Sequence, residues 1–90
     1  MHGLQLSVES EKLRPILLRA LNKNQILLII KLKHARAVSR NQFLTELSYN
    51  SNVPLSTLKL NFKILKELEI ISQNGRLTAL GQNINRIIGD

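Results

Sequence analysis

The chain has no cysteine and no tryptophan, one tyrosine and two phenylalanines among 90 residues. Without cysteine there is neither a disulfide framework nor a thiolate metal site, which fits a reducing interior. With so few aromatics the apolar set is Leu and Ile, and a core of that kind is aliphatic and helix-rich. Two histidines, His2 and His34, are too few for a histidine-based metal site. The six acids are Glu9, Glu11, Glu46, Glu67, Glu69 and Asp90. None forms a convincing pair, and Glu67 and Glu69 fall on different faces of a helix. There is no glycine-rich phosphate loop. These absences make catalysis, a metal and a cofactor unexpected. No apolar run approaches the roughly 20 residues of a membrane-spanning helix, and the N-terminus lacks a signal-peptide pattern. A cytoplasmic protein is therefore expected. No linker, internal repeat or low-complexity segment divides the chain, so residues 1–90 read as one domain. A domain this small buries only about 60–65% of its unfolded surface. Pairing with a second copy is one way such chains gain stability.

Positive charge is plentiful. Thirteen Lys and Arg against six acids give a formal charge of +7 and a pI near 10.4. A surface of that sign attracts polyanions. Within the chain, the stretch 52–71 is the most strongly patterned. Leu55, Leu58, Phe62, Leu65 and Leu68 recur at spacings of three and four, which is one face of an α-helix. Ser56, Lys59, Leu60, Lys63 and Glu67 point the other way. The helix is expected over 55–68. Asn74-Gly75 follows between short flanks, a strong hairpin signal. Two strands, 70–73 and 76–78, are expected around it.

The rest reads in order as follows. Leu4, Leu6 and Val8 alternate, which suggests either a strand or a partly ordered arm. A first helix is expected from about Arg14, with Pro15 in its first turn, to Asn22. Asn24 is expected to cap a second helix, 25–36. That helix is apolar all round and so belongs at the centre, between the N-terminal helix and the Leu58/Phe62/Leu65 face. Lys31, Lys33, His34, Arg36 and Arg40 concentrate charge at its far end, either favoured by the helix dipole or set along a phosphate backbone. Residues 37–39 suggest a short strand. A helix over 42–49 and the polar turn Asn50-Ser51-Asn52 then give a helix-turn-helix arrangement. Thr78 can cap a last helix, 79–88, with the apolar stripe Leu80, Ile84, Ile87 and Ile88.

Val53, Ser56-Thr57-Leu58, Leu65-Lys66-Glu67-Leu68, Ile70-Ile71 and Leu77-Thr78-Ala79-Leu80-Gly81 together resemble winged helix-turn-helix DNA-binding proteins. The flavour is that of small archaeal and archaeal-viral transcriptional regulators. The resemblance covers 24–88, with 1–23 as an N-terminal arm and helix. It departs at Glu69, where the family usually has glycine, so a less sharp exit from the helix is expected. The implied fold is mostly α with a small β-hairpin wing and an extra N-terminal helix. The implied function is a DNA-binding regulator that inserts helix 55–68 into the major groove. In that docking Ser56, Thr57, Lys59, Leu60 and Lys63 meet base edges, and Arg40 and Asn41 face a phosphate. Asn74 and Arg76 reach DNA from the wing. The implied partners are double-stranded DNA and, as a homodimer, a second copy, in a nucleoid-associated setting. Leu60 and Ile64 interrupt the lysines and suggest a protein partner as well. The alternatives are a protein-interaction winged-helix module and a nonspecific DNA-architectural protein.

Overall fold

The computed structural model describes residues 2–35 and 39–89, with side-chain surroundings from residue 11 onward. Among the described residues there are five α-helices: α1 (His2–Ala20), α2 (Lys23–Lys33), α3 (Arg40–Ser51), α4 (Leu55–Glu67) and α5 (Ala79–Gly89). There is no β-strand among them, only an isolated antiparallel bridge between Ile71 and Leu77. The fold is a five-helix bundle. The expected β-hairpin wing is absent, and the resemblance to winged helix-turn-helix proteins fails with it.

Local bonding explains why no hairpin forms. The N–H groups of Ile70 and Ile71 both donate to the Leu65 carbonyl, at 2.9 and 3.2 Å. Ile70 N–H is thereby committed to ending α4, so pairing does not extend back past the single Ile71–Leu77 bridge, which is flanked by Thr78 N–H on Ile70 C=O at 3.0 Å and Ser72 N–H on Arg76 C=O at 2.7 Å. Gly75 N–H then closes a turn on the Ser72 carbonyl at 2.9 Å. Asn74 is therefore the third residue of that turn and Gly75 the fourth. A two-residue hairpin of the Asn-Gly type needs both central residues at positive φ. Here Gly75 has φ 84, while Asn74 is not among the positive-φ residues. The turn also lies down on α4, since a Cβ added to Gly75 would sit 3.7 Å from the Phe62 ring.

The exit from α4 is sharp, contrary to the expectation for a non-glycine residue. Glu69 takes φ 62, in the left-handed region. Its N–H donates to Lys66 C=O at 3.0 Å and that of Ile70 to Leu65 C=O at 2.9 Å. This pair of bonds is a Schellman cap. Ile70 and Leu65 are both buried, supplying the apolar contact that accompanies it. Placing a glutamate there costs about 1 kcal/mol relative to glycine. The Thr78 hydroxyl, 2.6 Å from the Glu69 carbonyl, helps to hold it.

The core consists mainly of Leu28, Ile29, Leu44, Leu47, Leu58, Phe62, Leu65, Ile70, Ile71, Ile84 and Ile88. The apolar-all-round α2 is central, as its pattern requires, but its two neighbours are α4 and α5. The expected flanking by the N-terminal helix is corrected: α1 packs on α5, where Arg14 Nη1 donates to the Ile87 carbonyl at 3.3 Å. The N-terminal segment read as a strand or arm is helical, and Pro15 lies inside α1 rather than in its first turn. Glu11 and Pro15 are both exposed, so the carbonyl that Pro15 leaves without its helical donor faces water.

The cap of α2 is Asn22, not Asn24. Gln25 N–H donates to Asn22 Oδ1 at 2.8 Å, and Asn22 N–H donates to Gln25 Oε1 at 3.1 Å. This reciprocal capping box satisfies two otherwise orphaned donors. Asn22 Nδ2 also donates to Asn61 Oδ1 at 3.0 Å, and Asn61 Nδ2 to the Thr57 carbonyl at 2.9 Å. The start of α2 is thereby tied to the middle of α4. Between α3 and α4, Asn52 adopts φ 59, a conformation that asparagine tolerates. The strand suggested at 37–39 falls largely on 36–38, outside the described residues.

Candidate anion-binding cleft

Five elements, α2, α3, α4, α5 and the turn before α5, converge on one concavity of about 1090 Å³, open to solvent. The end of α2 contributes Leu32 and Lys33, and α3 contributes Arg40 and Phe43. The turn contributes Asn74, Gly75, Arg76 and Leu77; α5 contributes Gln82, Asn83 and Arg86. Cations thus enter from α2, α3, the turn and α5, while α4 supplies the apolar Phe62, and no acidic residue stands among the described lining residues.

Each wall has a physical reason for its position. Arg40 opens α3, whose first turn is capped by Ser39 Oγ accepting from Gln42 N–H at 3.1 Å. Arg76 is held by its backbone. Ser72 N–H donates to the Arg76 carbonyl at 2.7 Å, and Arg76 N–H donates to Ser72 Oγ at 3.2 Å. Its side chain is left exposed. Asn74 Oδ1 accepts from the Ser72 hydroxyl. On α5, Arg86 donates from Nη2 to Asn83 Oδ1, which orients the guanidinium along the wall.

The start of α5 is fixed by Thr78 and Gly81. Thr78 N–H donates to Ile70 C=O at 3.0 Å, and Gly81 N–H donates to Thr78 Oγ1 at 3.0 Å. A Cβ on Gly81 would lie 2.2 Å from the Ile70 carbonyl oxygen. Only glycine lets α5 approach the turn this closely. That approach sets how near Arg86 and Gln82 stand to Arg76. The far end of α5 is anchored by the buried Asn85, whose Nδ2 donates to the Ile29 carbonyl at 3.2 Å.

The structure divides the residues expected to contact DNA. Arg40, Asn74 and Arg76 line the cleft together. Asn41, Ser56, Thr57, Lys59, Leu60 and Lys63 are not among its lining residues. Ser56, Lys59, Leu60 and Lys63 are exposed on α4, Thr57 is half-buried, and Asn41 is exposed at the start of α3. Lys33, Gln82, Asn83 and Arg86 are the cleft's polar and charged side chains absent from that expected set. Lys33 stands in the basic run ending α2. Asn83 and Arg86, three apart, lie beside the Ile84/Ile88 stripe and carried no motif of their own.

The duplex-DNA expectation is overturned by the missing wing. Without a hairpin there is nothing to flank α4 along a duplex, and Arg76 faces a cleft rather than a minor groove. The regulator, the architectural role and the winged protein-interaction module all depended on that fold and fall with it. The homodimer was implied by the same resemblance and falls with it, and the α5 stripe does not supply a seam. Ile84 and Ile88 are instead buried in the core of this chain, and α1 covers part of α5. Leu80, expected in the same stripe, is exposed. The exposed Leu60/Ile64 pair that suggested a protein partner does not exist, because Ile64 is half-buried. Leu60 is exposed, and so is Leu68, which was expected on the buried face but lies past the end of α4; scattered surface leucines are ordinary.

Among the described residues, no three or more His, Cys, Asp or Glu are grouped to hold a metal ion. No described helix is long and apolar enough to cross a membrane. Comparison of the chain with protein-family models, with curated proteins and with solved structures finds no match. Fold and site define a class: a small helical domain with a cation-lined cleft.

Proposed function

We propose that this chain is a binding module, not an enzyme, and that its cleft takes a phosphate-bearing anionic ligand. The carrying observation is the convergence of Lys33, Arg40, Arg76 and Arg86 on one concavity with no acid among its described lining residues. Arginine suits this task. Its planar fork matches phosphate oxygens two at a time and stays charged at any physiological pH. A concave site also concentrates the field of several cations on one ligand, which a convex helix face does not. The lining offers cations, amides and apolar side chains, a set suited to holding a ligand rather than transforming it. A cytoplasmic location belongs to the same proposal, and the cysteine-free composition is compatible with it.

The test is a titration of the isotopically labelled protein with tripolyphosphate, followed by amide and guanidinium chemical shifts. Shifts should cluster on Lys33, Arg40, Asn74, Arg76 and Arg86. If they cluster instead on Lys59 and Lys63, or scatter over all cations, the cleft is not the site.

A further inference from the structure

We infer that the ligand of the cleft is single-stranded RNA, with phosphates on the four cations and an unpaired base against Phe43. This rests on the anion-binding reading above and adds the ligand's identity. A site for phosphate alone would need cations and little else. This cleft also has an apolar component, formed mainly by Leu32, Phe43, Leu77 and the buried Phe62, lying among the charges. Phe43 is half-buried, packed against the core on one side while also lining the cleft. Phosphate charge and a flat apolar face occur together, at short repeat, in nucleotides. Proteins that hold single strands combine a positive groove with aromatic side chains on which bases stack.

A duplex does not fit these features. Its base faces are hidden in the stack, so Phe43 and Leu32 would have no partner. Asn74, Gln82 and Asn83 add neutral amides beside the cations. Amides can donate to and accept from a ribose 2′-hydroxyl, which is the group that separates RNA from DNA. The volume, about 1090 Å³, lies just above the roughly 300–1,000 Å³ range of small-molecule sites, which suits a chain lying through the cleft better than one enclosed nucleotide.

The absence of tryptophan makes a direct test possible. In Phe43→Trp the introduced indole is the only one, so its emission reports on this wall alone. A short oligouridylate should bind and quench that emission, while tripolyphosphate should bind without quenching it. Oligodeoxyuridylate should bind several-fold more weakly than the RNA. If oligouridylate binds no better than tripolyphosphate and leaves the emission unchanged, the RNA inference is wrong and the anion cleft stands. If neither ligand binds, the cleft reading itself is wrong. Duplex RNA bound as tightly as the single strand, or DNA bound equally well, also overturns the inference. Should Phe43→Trp fail to fold, Phe43→Leu serves in its place. It should weaken oligouridylate binding about tenfold, the usual worth of one stacked base, and leave tripolyphosphate binding unchanged. Equal loss for both ligands would count against stacking.

Discussion

Two basic surfaces of this molecule hold their cations in different settings. On the outer side of α4, Lys59 and Lys63 stand exposed on one convex helix face. In the cleft, Lys33, Arg40, Arg76 and Arg86 come from α2, α3, the turn and α5 and face one volume. The first arrangement follows from spacing along a single helix. The second exists only because helices are tied together at particular atoms. The cleft has twice as many of these cations, but what sets it apart is that they face one concavity, and concavity is built by uncharged residues such as Gly81, Thr78 and Asn85.

The comparison can be broken by attacking the scaffold of one surface while leaving the other in place. Gly81→Ala should have the largest effect. Its new methyl meets the Ile70 carbonyl at 2.2 Å, so α5 must move off the turn and take Arg86 with it. The expected loss is about 3 kcal/mol of stability, at the upper end for overpacking, read by urea unfolding. A stable, unshifted Gly81→Ala protein would mean that this close approach does not set the width of the cleft.

Thr78→Ala should cost less, about 1–2 kcal/mol. It removes the hydroxyl that accepts from Gly81 N–H and stands 2.6 Å from the Glu69 carbonyl. Thr78→Ser should recover most of that, and failure of the serine to do so would assign the effect to the lost methyl. Glu69→Gly should act in the opposite direction. At φ 62 glycine is unstrained, and stability should rise by about 1 kcal/mol in the same assay. Because Glu69 lines neither cation cluster, anion binding should not change. A fall in stability would show that the left-handed cap is not formed in solution.

Much of the helical framework was legible from the sequence, for particular reasons. The α4 face Leu58, Phe62 and Leu65 and the α5 pair Ile84 and Ile88 are buried as their periodicity requires, since a helix must cover its apolar stripe. The reading of α2 as central was correct: Leu28 and Ile29 are fully buried and the helix packs on both α4 and α5. Its cap was mistaken by two residues, although Asn22 and Gln25 stand at the Asn-x-x-Gln spacing of a capping box. The wing was misjudged because Asn74-Gly75 is a local signal. Its effect depends on the backbone around it, and here Ile70 N–H is spent on Leu65 while the turn closes from Gly75 N–H to Ser72 C=O, leaving one bridge and no strand. The N-terminal segment misled through the alternation of Leu4, Leu6 and Val8, which is too short to outweigh a helix. Arg40, Asn74 and Arg76 were singled out as phosphate or nucleic-acid contacts, but for a docking that the fold does not allow. Their meeting with Arg86 was not legible, because nothing in their spacing along the chain records the approach of α5 to the turn.

The most direct test of the cleft against the α4 surface is the salt dependence of oligouridylate binding in two double variants. Each phosphate contact to a single strand contributes about 0.7 to the slope of log affinity against log salt concentration. Arg76→Ala with Arg86→Ala should weaken binding and lower the magnitude of that slope by about 1.4, the loss of two such contacts. Lys59→Ala with Lys63→Ala should leave both affinity and slope unchanged. The reverse pattern, a slope that falls with the lysines and not with the arginines, would contradict the account and return the site to the outer face of α4.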